Sequence, residues 1–325
     1  MRVLITGGTG FLGQQVAREL LAAGDRPIVA GRALDRLDPT LAREVEARYL
    51  DLRDHEAVIA ACAGVEAVVH AGAFSAPWGA PRDVRAVNIG GTASVIAGCR
   101  RHGVRRLVAV SSAMVVFAGR DIVRATEAVP YPRRFLSAAA LTKKVAEDLV
   151  REAAADLEAV IVRPALVVGP GERTFLPRLL AAARRRRLPV IGAGRNVVDL
   201  TYVENAAQAV VLALRCSQAV GRTYTITNDE PVALWDVIRR ALAALGLPAP
   251  GPRLPLGVAL TLARLMEAAA RRTGREPPLT RATVLLLART QTYDIAAARR
   301  DLGYRPRVSL DEGIARTLAA LRPAA

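Results

Sequence analysis

The stretch Val3-Leu4-Ile5-Thr6-Gly7-Gly8-Thr9-Gly10-Phe11-Leu12-Gly13 decides the fold. An apolar run breaks into glycines at 7, 10 and 13, and an amphipathic pattern over Leu12–Ala23 follows at once. Each glycine in such a turn has a physical task. One makes the tight turn, one lets backbone approach a pyrophosphate, and one lets helix pack on strand. The helix N-terminus then offers free N–H groups and a partial positive charge to the phosphates. Glycine-rich turns are often only turns, but the strand–turn–helix context argues for a dinucleotide cradle. Its expected contacts are Gly7, Thr9, Gly10, Phe11, Leu12 and Gly13.

Outward from the turn, short apolar runs alternate with helical patterns. The strand candidates are Val3–Thr6, Pro27–Ala30, Arg48–Leu50, Ala67–His70, Leu107–Ser111 and Ala159–Arg163, with helices such as Leu12–Ala23 and Thr92–Arg101 between them. Runs without clean alternation, each followed by a helix, indicate parallel strands covered on both faces. The reading is an α/β, Rossmann-type doubly wound sheet over residues 1–168. After Arg163-Pro164, glycines and prolines punctuate the chain at 169–171, 192–194 and 248–255. Residues 169–325 are read as mainly a smaller, interleaved substrate lobe, with segments returning to the sheet.

The second strand bears on cofactor choice. A carboxylate at its end would bind the adenosine ribose hydroxyls, whereas an arginine pairs with a 2′-phosphate. Here Ala30-Gly31-Arg32 has no acid, and Asp35 comes three residues later. NADP is the expected cofactor and NAD the alternative.

The chain has 325 residues, a net charge of +16 and 4% aromatic residues. The basic excess is scattered arginine apart from Arg184 to Arg187; the only lysines are Lys143 and Lys144. With no aromatic stacking cluster or nucleic-acid motif, the charge is read as compositional bias plus attraction to anionic cofactors or membrane surfaces. Cys62, Cys99 and Cys216 show no metal or disulfide spacing. The first apolar run is too short for a signal peptide, and no apolar stretch approaches membrane-spanning length. A cytoplasmic protein without a metal is expected.

Over almost its whole length the sequence resembles the extended short-chain dehydrogenase/reductase family. The residues that carry this are Asp51-Leu52-Arg53-Asp54, His70-Ala71-Gly72-Ala73, Asn88, Arg163-Pro164-Ala165, Tyr202-Val203-Glu204-Asn205-Ala206 and Leu302-Gly303-Tyr304-Arg305-Pro306, in that order. Ser75-Ala76-Pro77-Trp78-Gly79, Ser111-Ser112-Ala113-Met114-Val115-Val116-Phe117 and Pro130-Tyr131-Pro132 narrow the likeness to the 3β-hydroxysteroid dehydrogenase branch. Within that branch it is most similar to bacterial 2-alkyl-3-oxoalkanoate reductases of olefin biosynthesis. The resemblance implies NADP contacts at Asp51, Leu52, Ala71, Gly72, Ala73, Asn88, Lys143, Pro164 and Ala165. It also implies ketone–alcohol chemistry on an apolar substrate and a homodimer packed through the helices around 92–101 and 137–151. Ser75, Trp78, Ala113, Phe117 and Phe175 are the expected substrate wall.

That family's chemistry uses a serine, a tyrosine and a lysine four residues after it, so that tyrosine and lysine share one helix face. The serine is read as Ser112, with Ser111 the alternative; a strand-end serine can also merely cap the next turn. The lysine is Lys143, in Thr142-Lys143-Lys144-Val145-Ala146-Glu147, and Lys144, about 100° around the helix, is read as solvent-facing. Counting back four residues gives Ala139, not tyrosine. Tyr131 precedes Pro132 and is expected on a loop. The chain as given is read as an inactive tyrosine-to-alanine variant, the alternative being a natural member with altered or absent redox chemistry. Rival functions are a sugar-nucleotide epimerase or dehydratase of the same family and a non-catalytic NADP-binding regulator.

One further segment, Leu256 to Arg272, reads as a helix with Leu256, Leu260, Ala263, Leu265, Met266 and Ala269 on an apolar face. Arg264, Glu267, Arg271 and Arg272 fall opposite. It is read as a core helix of the second lobe or as a lid resting on a membrane surface.

Overall fold

The computed structural model describes residues 1–76 and 78–322. Five strands form in the expected places: β1 (Arg2–Thr6), β2 (Arg26–Gly31), β3 (Glu46–Tyr49), β4 (Ala67–His70) and β5 (Arg106–Val110). Strands Glu158–Pro164 and Thr223–Ile226 complete a seven-stranded sheet. The order across it is Thr223–Ile226, Glu158–Pro164, β5, β4, β1, β2, β3, and every pairing is parallel. The order reverses beside β1, where β2 leaves on one side and β4 on the other. In a doubly wound sheet that reversal opens a crevice at the strands' carboxyl ends.

Both faces of the sheet are covered. On one face Val3, Ile5, Val29, Val69, Val108 and Val160 pack with Val16, Leu20, Val210 and Leu214. On the other, Leu4, Val68, Leu107, Ala109 and Ile161 pack with Val58, Val95, Ile96 and Val150. This double burial explains why these strands read as continuous apolar runs. β3 begins two residues earlier than Arg48–Leu50: it is an edge strand paired only to β2 and largely exposed, so its pattern carries little burial signal.

The second lobe has its own core around Trp235, Ile238, Leu242, Val284 and Leu287. It also carries a four-stranded sheet of Ile122–Ala125, Gln291–Tyr293, Val197–Val198 and Val232–Ala233. Residues beyond 169 return to the large sheet as strand Thr223–Ile226 and helix Val203–Arg215. Helix Leu256–Thr273 forms as expected, but its faces are reassigned. Ala259, Ala263, Glu267 and Ala270 turn inward, while Val258, Leu262 and Leu265 (63% exposed) face out. Glu267 lies inside because its carboxylate accepts the Arg281 backbone N–H at 2.7 Å and Nε at 2.9 Å. Among the described residues no helix is long and apolar enough to cross a membrane.

Candidate active site

Helix α1 (Phe11–Ala22) starts at Gly10 without a side-chain cap. Its first N–H groups therefore have no intrahelical acceptor, because the first such bond runs from Gln14 N to the Gly10 carbonyl at 3.1 Å. Two glycines shape the cradle. Gly7 has φ +68°, and a Cβ there would lie 2.4 Å from Gly72 Cα. A Cβ on Gly13 would lie 2.3 Å from the Gly7 carbonyl oxygen, so the helix can approach the turn only through glycine. Thr9 covers Gly31 at the end of β2. These features fit a pyrophosphate on the N-terminus of α1.

Arg32 is exposed and, among the described residues, makes no ion pair. Asp51 accepts Arg53 Nε at 3.1 Å and Nη2 at 2.6 Å. That guanidinium, opposed by partial burial and assisted by the charge of Arg32, holds the Asp51 carboxyl below the usual carboxylate range. Leu52 packs over Gly72 and Gly91, closing the wall between β4 and the helix Gly91–His102.

A one-turn π-helix, Ala86–Gly90, presents Asn88 to the crevice. Such turns recur at functional sites. The Asn88 side chain accepts the Phe74 N–H at 2.7 Å and donates to the Phe74 carbonyl at 3.1 Å and to Thr142 Oγ1 at 2.9 Å. Its polar atoms thus tie the loop after β4 to the helix Ala138–Ala153. Beside it, Thr92 donates to the Asn88 carbonyl at 2.7 Å, so it accepts from His70 Nε2 at 2.9 Å. The other ring nitrogen of His70, Nδ1, then accepts from Thr6 Oγ1 at 2.6 Å. Burial, with the nearby charge of Lys143, pushes His70 down to about 3 and keeps it neutral.

The helix Ala138–Ala153 is capped by Ser137, which accepts the Ala140 N–H at 3.1 Å. Ala139 lies in its first turn and Lys143 one turn later on the same face. Lys143 is half-buried and donates to the Val110 carbonyl at 2.6 Å. Burial draws its ammonium down to about 8, with Glu147 opposing. Lys144 turns away and pairs with Asp148.

Behind Lys143, Glu147 and Arg163 form a buried ion pair, 2% and 3% exposed, with bonds of 2.6 and 2.8 Å. Desolvation would raise Glu147, but Arg163 outweighs it and the carboxyl stays low. Tyr131, on a loop as expected, places its hydroxyl against Glu147, Arg151 and Arg163. Its phenol is therefore engaged by this ion pair, about two helical turns along from position 139.

Ser112 Oγ accepts the Met114 N–H at 3.2 Å and caps the 3-10 turn Ala113–Val116, leaving its own O–H to donate. Ser111 Oγ is buried with no partner among the described residues, in a small cavity shared with His70, Asn88, Lys143 and Glu147. Ala165 packs with Ala113 beyond the end of strand Glu158–Pro164.

The expected substrate wall is split. Ser75 and Trp78 lie on the loop after β4, and Pro77 between them lies outside the described residues. Phe175 packs against the second-lobe core. Phe117 is 1% exposed, packed inside the protein where the 3-10 turn ends, so it offers no free surface to a substrate. The sequence reading passed over Asp199, Gln291 and Tyr293, which line a second cavity with Ala113 and Ala165. The available signal was an acid inside an apolar run, Val197-Val198-Asp199-Leu200.

Residues 4–256 match the model of the 3-beta hydroxysteroid dehydrogenase/isomerase family. The chain is 37% identical to a 2-alkyl-3-oxoalkanoate reductase from Stenotrophomonas maltophilia, covering 98% of this chain and 99% of that protein. It is 32% identical to the decarboxylating sterol-4-alpha-carboxylate 3-dehydrogenase of Homo sapiens, over 99% of this chain and 88% of the relative. Among solved structures, UDP-glucuronic acid 4-epimerase from Bacillus cereus, in complex with NAD, superposes with a TM-score of 0.78 over 99% of this chain and 98% of that one. At 19% identity that likeness speaks for the fold alone. By its fold, its site and these matches, the chain belongs to the 3-beta hydroxysteroid dehydrogenase/isomerase family, a family of oxidoreductases of the extended short-chain type.

Proposed function

We propose that the protein is built for NADP(H)-dependent interconversion of a ketone and a secondary alcohol on an apolar substrate, a 3-oxo acid or a steroid-like ketone. The observation that carries this reading is Lys143, a half-buried ammonium at the carboxyl end of β5, close to paired serines. NADPH, when bound, supplies hydride from C4 of its nicotinamide. The glycine turn takes the pyrophosphate, and Arg32 takes the 2′-phosphate, which favours NADP over NAD. Ser112 gives its free O–H to the substrate oxygen, where negative charge develops. Lys143 anchors the nicotinamide ribose, and Pro164 and Ala165 border the ring.

Ala139 has no proton to give. We read it as a tyrosine-to-alanine replacement that spares binding and impairs turnover. The same alanine favours a second reading, a non-catalytic NADP-binding regulator. As partners we propose a second copy of the chain, through helices Gly91–His102 and Ala138–Ala153, and a peripheral membrane contact through Val258, Leu262 and Leu265. Thermal unfolding of the NADPH-loaded protein tests the substrate class. Long-chain 3-oxo acids or steroid ketones should raise the midpoint more than nucleotide sugars do, and the reverse order would move the assignment to a sugar-nucleotide enzyme.

A further inference from the structure

Helix Leu256–Thr273 carries its apolar side chains the wrong way round for a helix that only covers a core. Small residues and one acid, Ala259, Ala263, Ala270 and Glu267, point inward, while the larger Val258, Leu262 and Leu265 stand exposed. Alternating spacings of four and three residues place Val258, Leu262, Leu265, Ala269 and Arg272 on one outward stripe. The other large apolar side chains exposed among the described residues, Met1, Tyr49, Val123 and Leu141, are spread over separate parts of the chain.

This outward phase is fixed by Glu267. Its carboxylate is held inside by the backbone N–H and Nε of Arg281, at the start of helix Arg281–Ala288. Turning the helix to bury the leucines would withdraw the carboxylate from both bonds. An apolar patch rimmed by polar groups and held in the open marks an interaction surface.

The rim indicates what that surface meets. Arg253, Arg264, Arg272 and Arg275 are exposed and, among the described residues, make no ion pair. Both acids of residues 251–276 are already engaged, Glu267 by Arg281 at 2.9 Å and Glu276 by Arg178 at 2.6 Å. An apolar centre with a cationic rim matches an anionic lipid surface, where arginines meet headgroup phosphates and leucines reach the acyl boundary. A second copy matches poorly, since it would bring like arginines together on chains of net charge +16. The stripe is also a single helix face about 16 Å long, far short of the roughly 800 Å² a side that stable protein interfaces bury.

We propose that this face docks the protein on an anionic bilayer, with Leu262 and Leu265 in the acyl boundary and Arg264 and Arg272 among the phosphates. The docking deepens the membrane contact named above and rests on the apolar-substrate reading, for which it supplies the surface that such a ketone is drawn from.

Flotation of the full chain with vesicles tests the docking, using phosphatidylcholine alone and an equal mixture with phosphatidylglycerol. The chain should float with the mixed vesicles, stay behind with phosphatidylcholine alone, and be released as ionic strength rises. Leu262→Ser with Leu265→Ser should weaken binding about tenfold or more, as the loss of two buried leucines warrants. Arg264→Gln with Arg272→Gln should also weaken it by about tenfold or more, each cation being worth about fivefold at such a surface. Unfolding midpoints near that of the parent chain establish that the variants are folded. A Leu265→Trp variant should gain an emission that shifts to the blue on binding and is quenched by lipids with brominated chains. Binding that survives the serine pair, or leaves position 265 unquenched, would mean that arginines elsewhere hold the vesicle, and would overturn the docking. So would equal binding to both vesicles, binding to neither, or a serine pair that changes only the oligomeric mass, which would give the face to a second copy. Neither cofactor nor ketone is present, so any of these failures spares the ketone reading. Ketones that fail to raise the unfolding midpoint would in turn leave the vesicle result standing.

Discussion

Lys143 Nζ lies 2.6 Å from the carbonyl oxygen of Val110, so the lysine helix is tied by a half-buried ammonium to the last residue of β5. Burial places this group at about 8, against roughly 10.4 in an unfolded chain. The charged form is penalised in the folded state. The penalty is fully present below pH 8 and is relieved as pH rises from about 8 to 10.4. Unfolding free energy should therefore rise across that window, by up to about 1.4 kcal/mol per pH unit. Lys143→Met should abolish the rise while weakening NADPH binding. Urea melts between pH 7 and 10 decide it, and an identical rise in both proteins would remove the assignment.

Breaking the Glu147–Arg163 pair from one side should cost far more stability than breaking any of the exposed ion pairs. Glu147→Gln leaves the Arg163 guanidinium buried opposite a neutral amide. Breaking such a pair costs about 3–5 kcal/mol. Arg163→Met with Glu147→Leu removes both charges and should recover most of the loss. A single variant within 1 kcal/mol of the parent, a limit set roughly by what exposed pairs contribute, would show that water screens the pair.

How much of this was legible in the sequence depends on the range of the interactions involved. The cradle from Thr6 to Gly13 is local, and each glycine answers a contact within or beside the turn, so it could be read directly. The inner strands declared themselves because both their faces are buried. The phase of helix Leu256–Thr273 could not be read this way. Glu267 turns inward because Arg281 meets it, a partner that periodicity does not contain. Asp199 and Gln291 meet only through the register of two distant strands, so neither residue alone announced the cavity. Ala139 is the opposite case. It was visible only against the spacing around it, and the geometry of Lys143 gives that spacing its meaning.

Cofactor preference should rest on Arg32, which is exposed at the end of β2 and free to meet a 2′-phosphate. NADPH should bind more tightly than NADH, and Arg32→Ala should remove most of the difference with little effect on NADH. A charge-assisted contact of this kind corresponds to about tenfold or more in affinity. Calorimetry with both cofactors is the measurement. Equal affinities in the parent chain, or a preference unchanged by Arg32→Ala, would place phosphate recognition elsewhere.

The sharpest expectation concerns Ala139. As it stands the chain should bind NADP(H) nearly as well as a tyrosine-bearing form, since the cradle, Arg32 and Lys143 are intact. Turnover should be severely reduced, because a positioned general acid contributes about 10²–10⁴-fold, or roughly 3–5 kcal/mol of barrier. Tyr131 cannot stand in while its hydroxyl is held by Glu147 and Arg163, about two helical turns from position 139. A phenol at 139 would sit one turn from Lys143, whose ammonium would lower its pKa and ready it to donate. Ala139→Tyr should thus raise the single-turnover rate of NADPH oxidation with apolar ketones by a similar factor, at nearly constant cofactor affinity. If the tyrosine form binds both ligands and stays inert, the regulator reading gains. If the alanine form already turns over at an ordinary enzymatic rate, another proton donor serves the site, and Tyr293, which lines the cavity beyond Ser112, is the first residue to replace.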